Sequence, residues 1–462
     1  MSKVNVTRDL AEFAVNLTYD QLPEEVVEQV KKFILDGATC GVYGSTMPSS
    51  RRVQELVAEK QGLPESTVWG TAIRAWVGDA ALANGTSVNS FETDDVHKDA
   101  LVHAESVSVA PALALAEKLK GVTGKRFITA IAAGCEVAAR IGLVVGFPQL
   151  TKGYHPAATT GTFVAAVTAG YLMKLPLDQM VHCMGIGGTQ AAGLISAQRG
   201  AMAKAFHMGR AAQAGIYGAL LAQKGFTGAQ DIVEAEYGGF CGVMADIKDI
   251  DTDKIFRGLG KQWECLNIGF KDWACGLSTY CSVEAILEIT KKHPEIKVED
   301  IKEILVKTTT ITQEHAGWKF DPKESPGSAR LNIGYNIARA FISRTIRAEH
   351  FDYEAISEPA ILPISNKVRV IIDPALDSLG ADKRHAIRMT VFLNNGKSYE
   401  YGLDYARGSF HRPLTKEDLT AKFNDLVGRV FSPEQKQKLY NAIETIEEMD
   451  DVSKLAEFLK KA

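Results

Sequence analysis

The sequence predicts a mainly α protein, a large all-helical domain carrying a smaller α+β lid domain. At 462 residues the chain exceeds what a single hydrophobic core usually encloses, so two domains are expected. Residues from about 76 to 228 are dominated by Ala, Gly and Leu, which favour helices that approach one another closely. After about residue 295 the pattern turns to alternating, β-branched segments. These shifts predict a helical domain over 1–268, rejoined by helices from 405–462, with the lid over 269–404.

Taken in order, Leu10, Phe13, Ala14 and Leu17 recur at helical spacing, and "EEVVEQVKKFILDGATCGVYG" resumes the pattern after Pro23. "KRFITAIAAGCEVAARIGLVV" and "TTGTFVAAVTAGYLMKL" are apolar around most of their circumference, as buried helices are. "IKEILVKTTT", "KVRVIID" and "AIRMTVFLNNGKSYEYGL" read as strands, the last folded at Asn394-Asn395-Gly396. "STYCSVEAILEITKK" and "GYNIARAFISR" read as helices flanking that sheet. Thr415 and Asp418 are spaced as a capping box that opens a helix, and the tail after it is helical and charged.

Composition excludes several classes. A net charge of −4 gives no footprint for nucleic acid and no basic surface for an anionic membrane. The seven cysteines are scattered and form no C-x-x-C pair, so neither a disulfide framework nor a zinc ribbon is expected. The start lacks the long apolar core of a secretory signal, and charged residues interrupt the alanine-rich runs. A reduced, cytoplasmic setting is the expectation.

The chemistry concentrates in "ETDDVHKDALVHAES", residues 92–106. Asp94, Asp95, His97 and His103 are metal-ligand types, but the two histidines are six apart and do not stack on one helix face. No metal site is expected. The loop lies between close-packing sequences, a natural place for a pocket. His155 precedes Pro156 at the start of a helix, whose dipole favours the neutral imidazole, and Thr159 and Thr160 add hydroxyl donors. Lys204 sits in an Ala/Met/Gly stretch, with His207 and Arg210 following at helical spacing, and Lys271 and Tyr280 come next along the chain. Together they predict an anion pocket with acid/base capacity.

These stretches resemble the MmgE/PrpD family in order and spacing along nearly the whole chain. "GDAALANGTSVNSFETDDVH" with "LVHAESVSVAPALALAE" is similar to its A-A-L-x-N-G, D-x-D-D and first histidine signatures. "GYHPAATTGTFVAA" resembles its second histidine motif, and "GAMAKAFHMGRAAQAG" and "GFKDWACG" its later blocks. The resemblance implies a helical domain bearing most of the site, an α+β lid and a homodimer. It also implies cofactor-independent proton chemistry on small polycarboxylates, as in 2-methylcitrate dehydratase, cis-aconitate decarboxylase and iminodisuccinate epimerase. On that basis His103, His155, Asp94 and Lys204 are expected to be catalytic, with Glu92, His97, Lys271, Tyr280 and His207 binding substrate.

The chain departs from the family pattern at Glu92 (commonly Asp), Val96 (Thr), Ala104-Glu105 (Pro-Gly), Tyr280 (often His) and Asn89 (His). The leading expectation is a lyase, a dehydratase or decarboxylase, acting on a substrate such as 2-methylcitrate or cis-aconitate. The alternatives are an epimerase or isomerase of an iminodisuccinate-like dicarboxylate, for which Tyr280 would supply a second acid/base group, and an inactive carboxylate-binding homologue.

Overall fold

The computed structural model describes residues 5–198 and 200–461, and it is a mainly α, two-domain protein. At the centre of the helical part, Ala203–Gln223 packs against Val77–Val88, Ala104–Leu119 and Gly161–Leu172, and Gly124–Thr151 lies against the last two. Glycine sets how closely these helices approach. A Cβ at Gly209 would come 2.2 Å from the Leu82 carbonyl, and one at Gly215 would come 2.3 Å from the Ala165 backbone. Among the described residues, Gly124–Thr151 alone is long and apolar enough to cross a membrane, but 94% of its apolar window is buried within the protein. It encloses an ion pair, Arg140 to Glu136 at 2.6 Å.

The expected strands form one four-stranded sheet in the order 368–372, 301–308, 387–393, 398–403. The first pair is parallel and the other two are antiparallel. Ile387, Met389, Val391 and Leu393 alternate inward, as a sheet with one covered face requires. The helices Leu277–Lys292 and Ile333–Ser343 pack together over it. Gly396, at φ +85°, makes the hairpin turn where the sequence places it.

The C-terminal helices return to the helical part. Thr415 and Asp418 cap the helix Lys416–Gly428 reciprocally, with Asp418 N–H donating to Thr415 Oγ1 (3.1 Å) and Thr415 N–H donating to Asp418 Oδ2 (2.9 Å). This helix packs on Glu24–Gly44 and delivers Lys422 into the interior. There its ammonium lies 2.6 Å from Asp36 Oδ1 and donates to the Thr93 carbonyl at 2.5 Å. Burial works against the Lys422 charge, but Asp36 outweighs it and holds the ammonium above its ordinary pKa.

Removing one member of this buried pair strands the other. Lys422→Met is therefore expected to cost about 3 kcal/mol in urea unfolding, and the Asp36→Asn/Lys422→Met double variant clearly less.

Candidate active site

Residues 89–103 form a loop that the fold pins from several sides. Val96–His97 pairs antiparallel with Ile268–Gly269, and Ala100 presses on Gly142, where a Cβ would come within 2.6 Å. Asp94 and Asp95 are adjacent and both fully buried, and they face different tasks. Asp95 caps the helix Ala104–Leu119, accepting from Ala104 N–H at 2.7 Å and Glu105 N–H at 3.2 Å. That cap fixes His103, the residue just before the helix. Asp94 points the other way. Its Oδ2 lies 3.0 Å from His103 Nδ1 and accepts from Asn89 at 2.5 Å, while its Oδ1 accepts from Lys271 at 3.2 Å.

These partners determine protonation. Burial pushes Asp94 up, but Lys271 and His103 outweigh it and hold the carboxyl well below its usual range. Asp95 is pushed well up, first by burial and then by the charge of Asp94. Lys271 is held above its ordinary value because Asp94 and Glu92 outweigh its burial. Glu92 contacts Lys204 directly and lies 3.9 Å from Lys271. Burial opposes its charge, yet the two lysines keep its carboxyl below the ordinary value. Its backbone is left-handed, at φ +63°, a conformation that costs a side-chain-bearing residue about 1 kcal/mol and is tolerated where the surroundings dictate it.

His155 enters from the opposite wall. Its N–H donates to the Gly193 carbonyl at 3.0 Å, and its Nδ1 lies 3.1 Å from His207 Nδ1. Burial, then the positive charge of Lys204, holds His155 well below the usual imidazole pKa. It is therefore neutral at physiological pH. The His103 and His155 rings are 6.5 Å apart, centroid to centroid. Between them lies a cavity of about 130 Å³ that Glu92, His103, His155, Lys204 and Lys271 all line.

Several predicted residues lie elsewhere. His97 is fully buried and does not line the cavity. Its Nδ1 accepts the Asp99 and Ala100 N–H groups (3.1 and 3.0 Å), and its Nε2 lies 3.3 Å from Glu264, so the ring holds the loop's turn instead of substrate. Tyr280 is also off the cavity. Its hydroxyl donates to the Trp273 carbonyl at 2.7 Å and accepts the Trp273 N–H at 2.8 Å. Burial pushes the phenol well up, which leaves it neither reach nor acidity for proton transfer. His207 touches His155 and does not line the cavity. Arg210 is exposed and pairs with Gln213. The Thr159 and Thr160 hydroxyls are buried and bonded to Gln149, at 2.6 and 3.0 Å.

The lid side contributes residues that the sequence reading did not single out. Arg384 and His385 line the cavity from just before the strand Ile387–Leu393. Arg384 donates to the Lys98 carbonyl and stacks over Phe147, tying the lid to the acidic loop. The adjacent Arg-His pair at a strand start was the available signal, but nothing local says which way it faces.

Asp94, Asp95 and His103 bring potential ligand atoms within 4.8 Å of one another. Their lone pairs are already committed to Lys271, Asn89 and two helix N–H groups. A cation there would have to displace the Lys271 ammonium and undo the cap. The set fits a metal poorly. What it builds is a pair of lysines and a pair of histidines around a small cavity, with carboxylates fixing the lysines and one imidazole.

Tyr280→Phe should leave kcat and KM within about twofold and cost about 1 kcal/mol of stability, through the unpaired Trp273 backbone. Folded His155 titrates well below 6.5, so as pH falls the unfolded chain takes that proton first. This contribution destabilises wild type progressively below about pH 6.5, until the folded-state pKa is passed. Melting curves of wild type and His155→Gln should therefore diverge between pH 6.5 and 5, wild type falling faster; parallel curves would contradict the assignment.

The MmgE/PrpD N-terminal domain matches residues 8–253 and the MmgE/PrpD C-terminal domain matches 273–448. The cis-aconitate decarboxylase-like protein oryM of Aspergillus oryzae is 28% identical, the alignment covering 98% of this chain and 96% of that protein. Cis-aconitate decarboxylase of Aspergillus terreus is 28% identical over 99% of this chain and 96% of its own. The human cis-aconitate decarboxylase is 24% identical over 99% and 95%. With both halves of the family matched in order across nearly its whole length, the chain belongs to the MmgE/PrpD family.

Proposed function

We propose that this protein, a lyase of the dehydratase or decarboxylase kind, decarboxylates a small polycarboxylate of the cis-aconitate type. The observation that carries the reading is the convergence of His103, His155, Lys204 and Lys271 on one cavity. The end-to-end similarity to proteins named cis-aconitate decarboxylase favours decarboxylation over the dehydration that the sequence alone put first.

In such a step the bond to the departing carboxylate breaks, and its electron pair forms a new carbon–carbon double bond. The former double bond shifts its electrons toward the carbon bearing a retained carboxylate, which becomes enolate-like and takes a proton. Lys204 and Lys271 stabilise that developing charge. His103 is suited to deliver the proton, because the ionised Asp94 at its Nδ1 compensates a charge on the ring and leaves Nε2 as the reactive nitrogen. His155, neutral and facing His103 across the cavity, is suited to position the substrate and to relay the replacement proton. These residues account for each step, so the reading invokes no cofactor. The epimerase alternative needed Tyr280 as a second acid/base group, and its bonds to Trp273 remove that support.

The test is incubation with cis-aconitate in deuterated water, followed by NMR. Stoichiometric carbon dioxide and one solvent deuterium per product are expected, and His103→Ala and His155→Ala should each lower kcat by about a hundredfold or more. Loss or gain of water without carbon dioxide would replace this reading with a dehydratase, and deuterium entering unreacted substrate would replace it with an isomerase.

A further inference from the structure

Lys204 and Lys271 converge on one carboxylate, Glu92, so the two ammoniums form a single positive pole of the cavity. Glu92 and Asp94 already balance them. Arg384 lines the same cavity from the lid side, and no carboxylate balances it in this way. It is 6% exposed. Its guanidinium donates to the carbonyls of Lys98 and Ala381, the latter at 3.4 Å, and stacks over Phe147. These partners are neutral, and they use two of the five N–H groups. Among the described residues Arg384 makes no ion pair. Asp382, two residues before it, is held instead by His411 at 2.7 Å and Lys98 at 3.5 Å. A guanidinium taken this far out of water calls for an anion.

The neighbouring groups leave that anion to Arg384. Thr312 spends its hydroxyl proton on the Arg384 carbonyl (2.8 Å), so its oxygen accepts from His385 Nδ1 (3.2 Å). Burial and then the charge of Arg384 keep His385 neutral, which leaves its Nε2 bare and gives it no N–H for a carboxylate. Leu277 and Ser278, also on the cavity wall, open the helix Leu277–Lys292, whose N-cap Gly276 brings no side chain to the first N–H groups. This helix end adds positive potential to the same cavity.

In the proposed reaction the departing carboxylate loses its charge as carbon dioxide forms. A cation beneath it would favour the substrate over the transition state. Two carboxylates stay, on neighbouring carbons, and the one that takes the enolate-like charge belongs at the lysine pole. We propose that Arg384 determines specificity by binding the other retained carboxylate, so that the site measures two carboxylates between the helical part and the lid. The identity of this anion rests on the lyase reading above; the need for one rests on the surroundings of Arg384.

Binding tests it without turnover. Calorimetry would compare succinate with its monoamide, succinamate, which keeps the shape and loses one charge, on the unmodified protein and on Arg384→Gln. The unmodified protein should bind succinate about tenfold or more tightly than succinamate. Arg384→Gln should lose about tenfold on succinate and less than about threefold on succinamate. Equal losses on both would mean that the guanidinium only anchors the lid, and no loss on either would mean that it holds no carboxylate; each result overturns the proposal. A crystal structure of the unmodified protein with succinate reads the same claim without a variant. One carboxylate should lie against Arg384, and a complex with both at the lysines would overturn it. The two readings fail separately. The expected binding pattern with no carbon dioxide released from cis-aconitate sinks the lyase reading and leaves the subsite standing, whereas carbon dioxide release with equal losses sinks the subsite alone.

Discussion

Two neighbouring carboxylates, Asp94 and Asp95, are taken wholly out of water, and the site depends on how each is compensated. Buried charge is tolerable only where partners replace the lost hydration. Asp94 meets that demand with an ammonium and an imidazole, whereas Asp95, whose charge burial and Asp94 disfavour, rests on a helix N-terminus. One capping residue and one imidazole partner thus come from a single dipeptide. The cap fixes where His103 starts its helix, and Asp94 then meets the ring. Position and protonation are thus set by the same short segment.

The constraint reaches outward through further buried groups. Lys422 ties the C-terminal helix to the carbonyl of Thr93, one residue before Asp94. Behind it Asp36 and Glu105 stand close together, and Glu105 is pushed well up, first by burial and then by Asp36 and Asp95. A proton on Glu105 lets it donate to Asp36, which makes the shell tolerable without water. From the other side, Arg384 grips the Lys98 carbonyl. The loop is thereby clamped by the N-terminal, C-terminal and lid segments, the arrangement that preorganised electrostatics requires.

How much was legible in the sequence follows from which signals are local. Helix and strand patterns, the Thr415–Asp418 cap and the Asn394-Asn395-Gly396 turn depend on neighbours in the chain, and they appear where expected. Lys204 and Lys271 were legible as anion binders because a lysine in apolar sequence implies a counter-charge. Their meeting with Glu92 and Asp94 could be read only through the resemblance to a family, since the partners lie far apart in the chain. His97 misled because its residue type suits catalysis, while its actual role is to accept N–H groups two and three residues ahead. Tyr280 misled for the same reason: from the helix Leu277–Lys292 its hydroxyl turns back onto the backbone of Trp273, in a loop that carries no pattern. Arg384, His385 and Lys422 come from elements whose facing is decided by tertiary packing, so nothing in their surroundings announced them.

In the proposed mechanism Asp94 holds His103 with its proton on Nδ1 and Nε2 toward the reacting carbon. Nitrogen-15 NMR of histidine-labelled protein reads this tautomer directly, the His103 signals being assigned by their loss in His103→Gln. Wild type should show a protonated Nδ1 and a bare Nε2, and Asp94→Asn should lose that preference together with most of kcat. An Nε2-protonated His103 in wild type, or a tautomer unchanged in Asp94→Asn, would contradict the account.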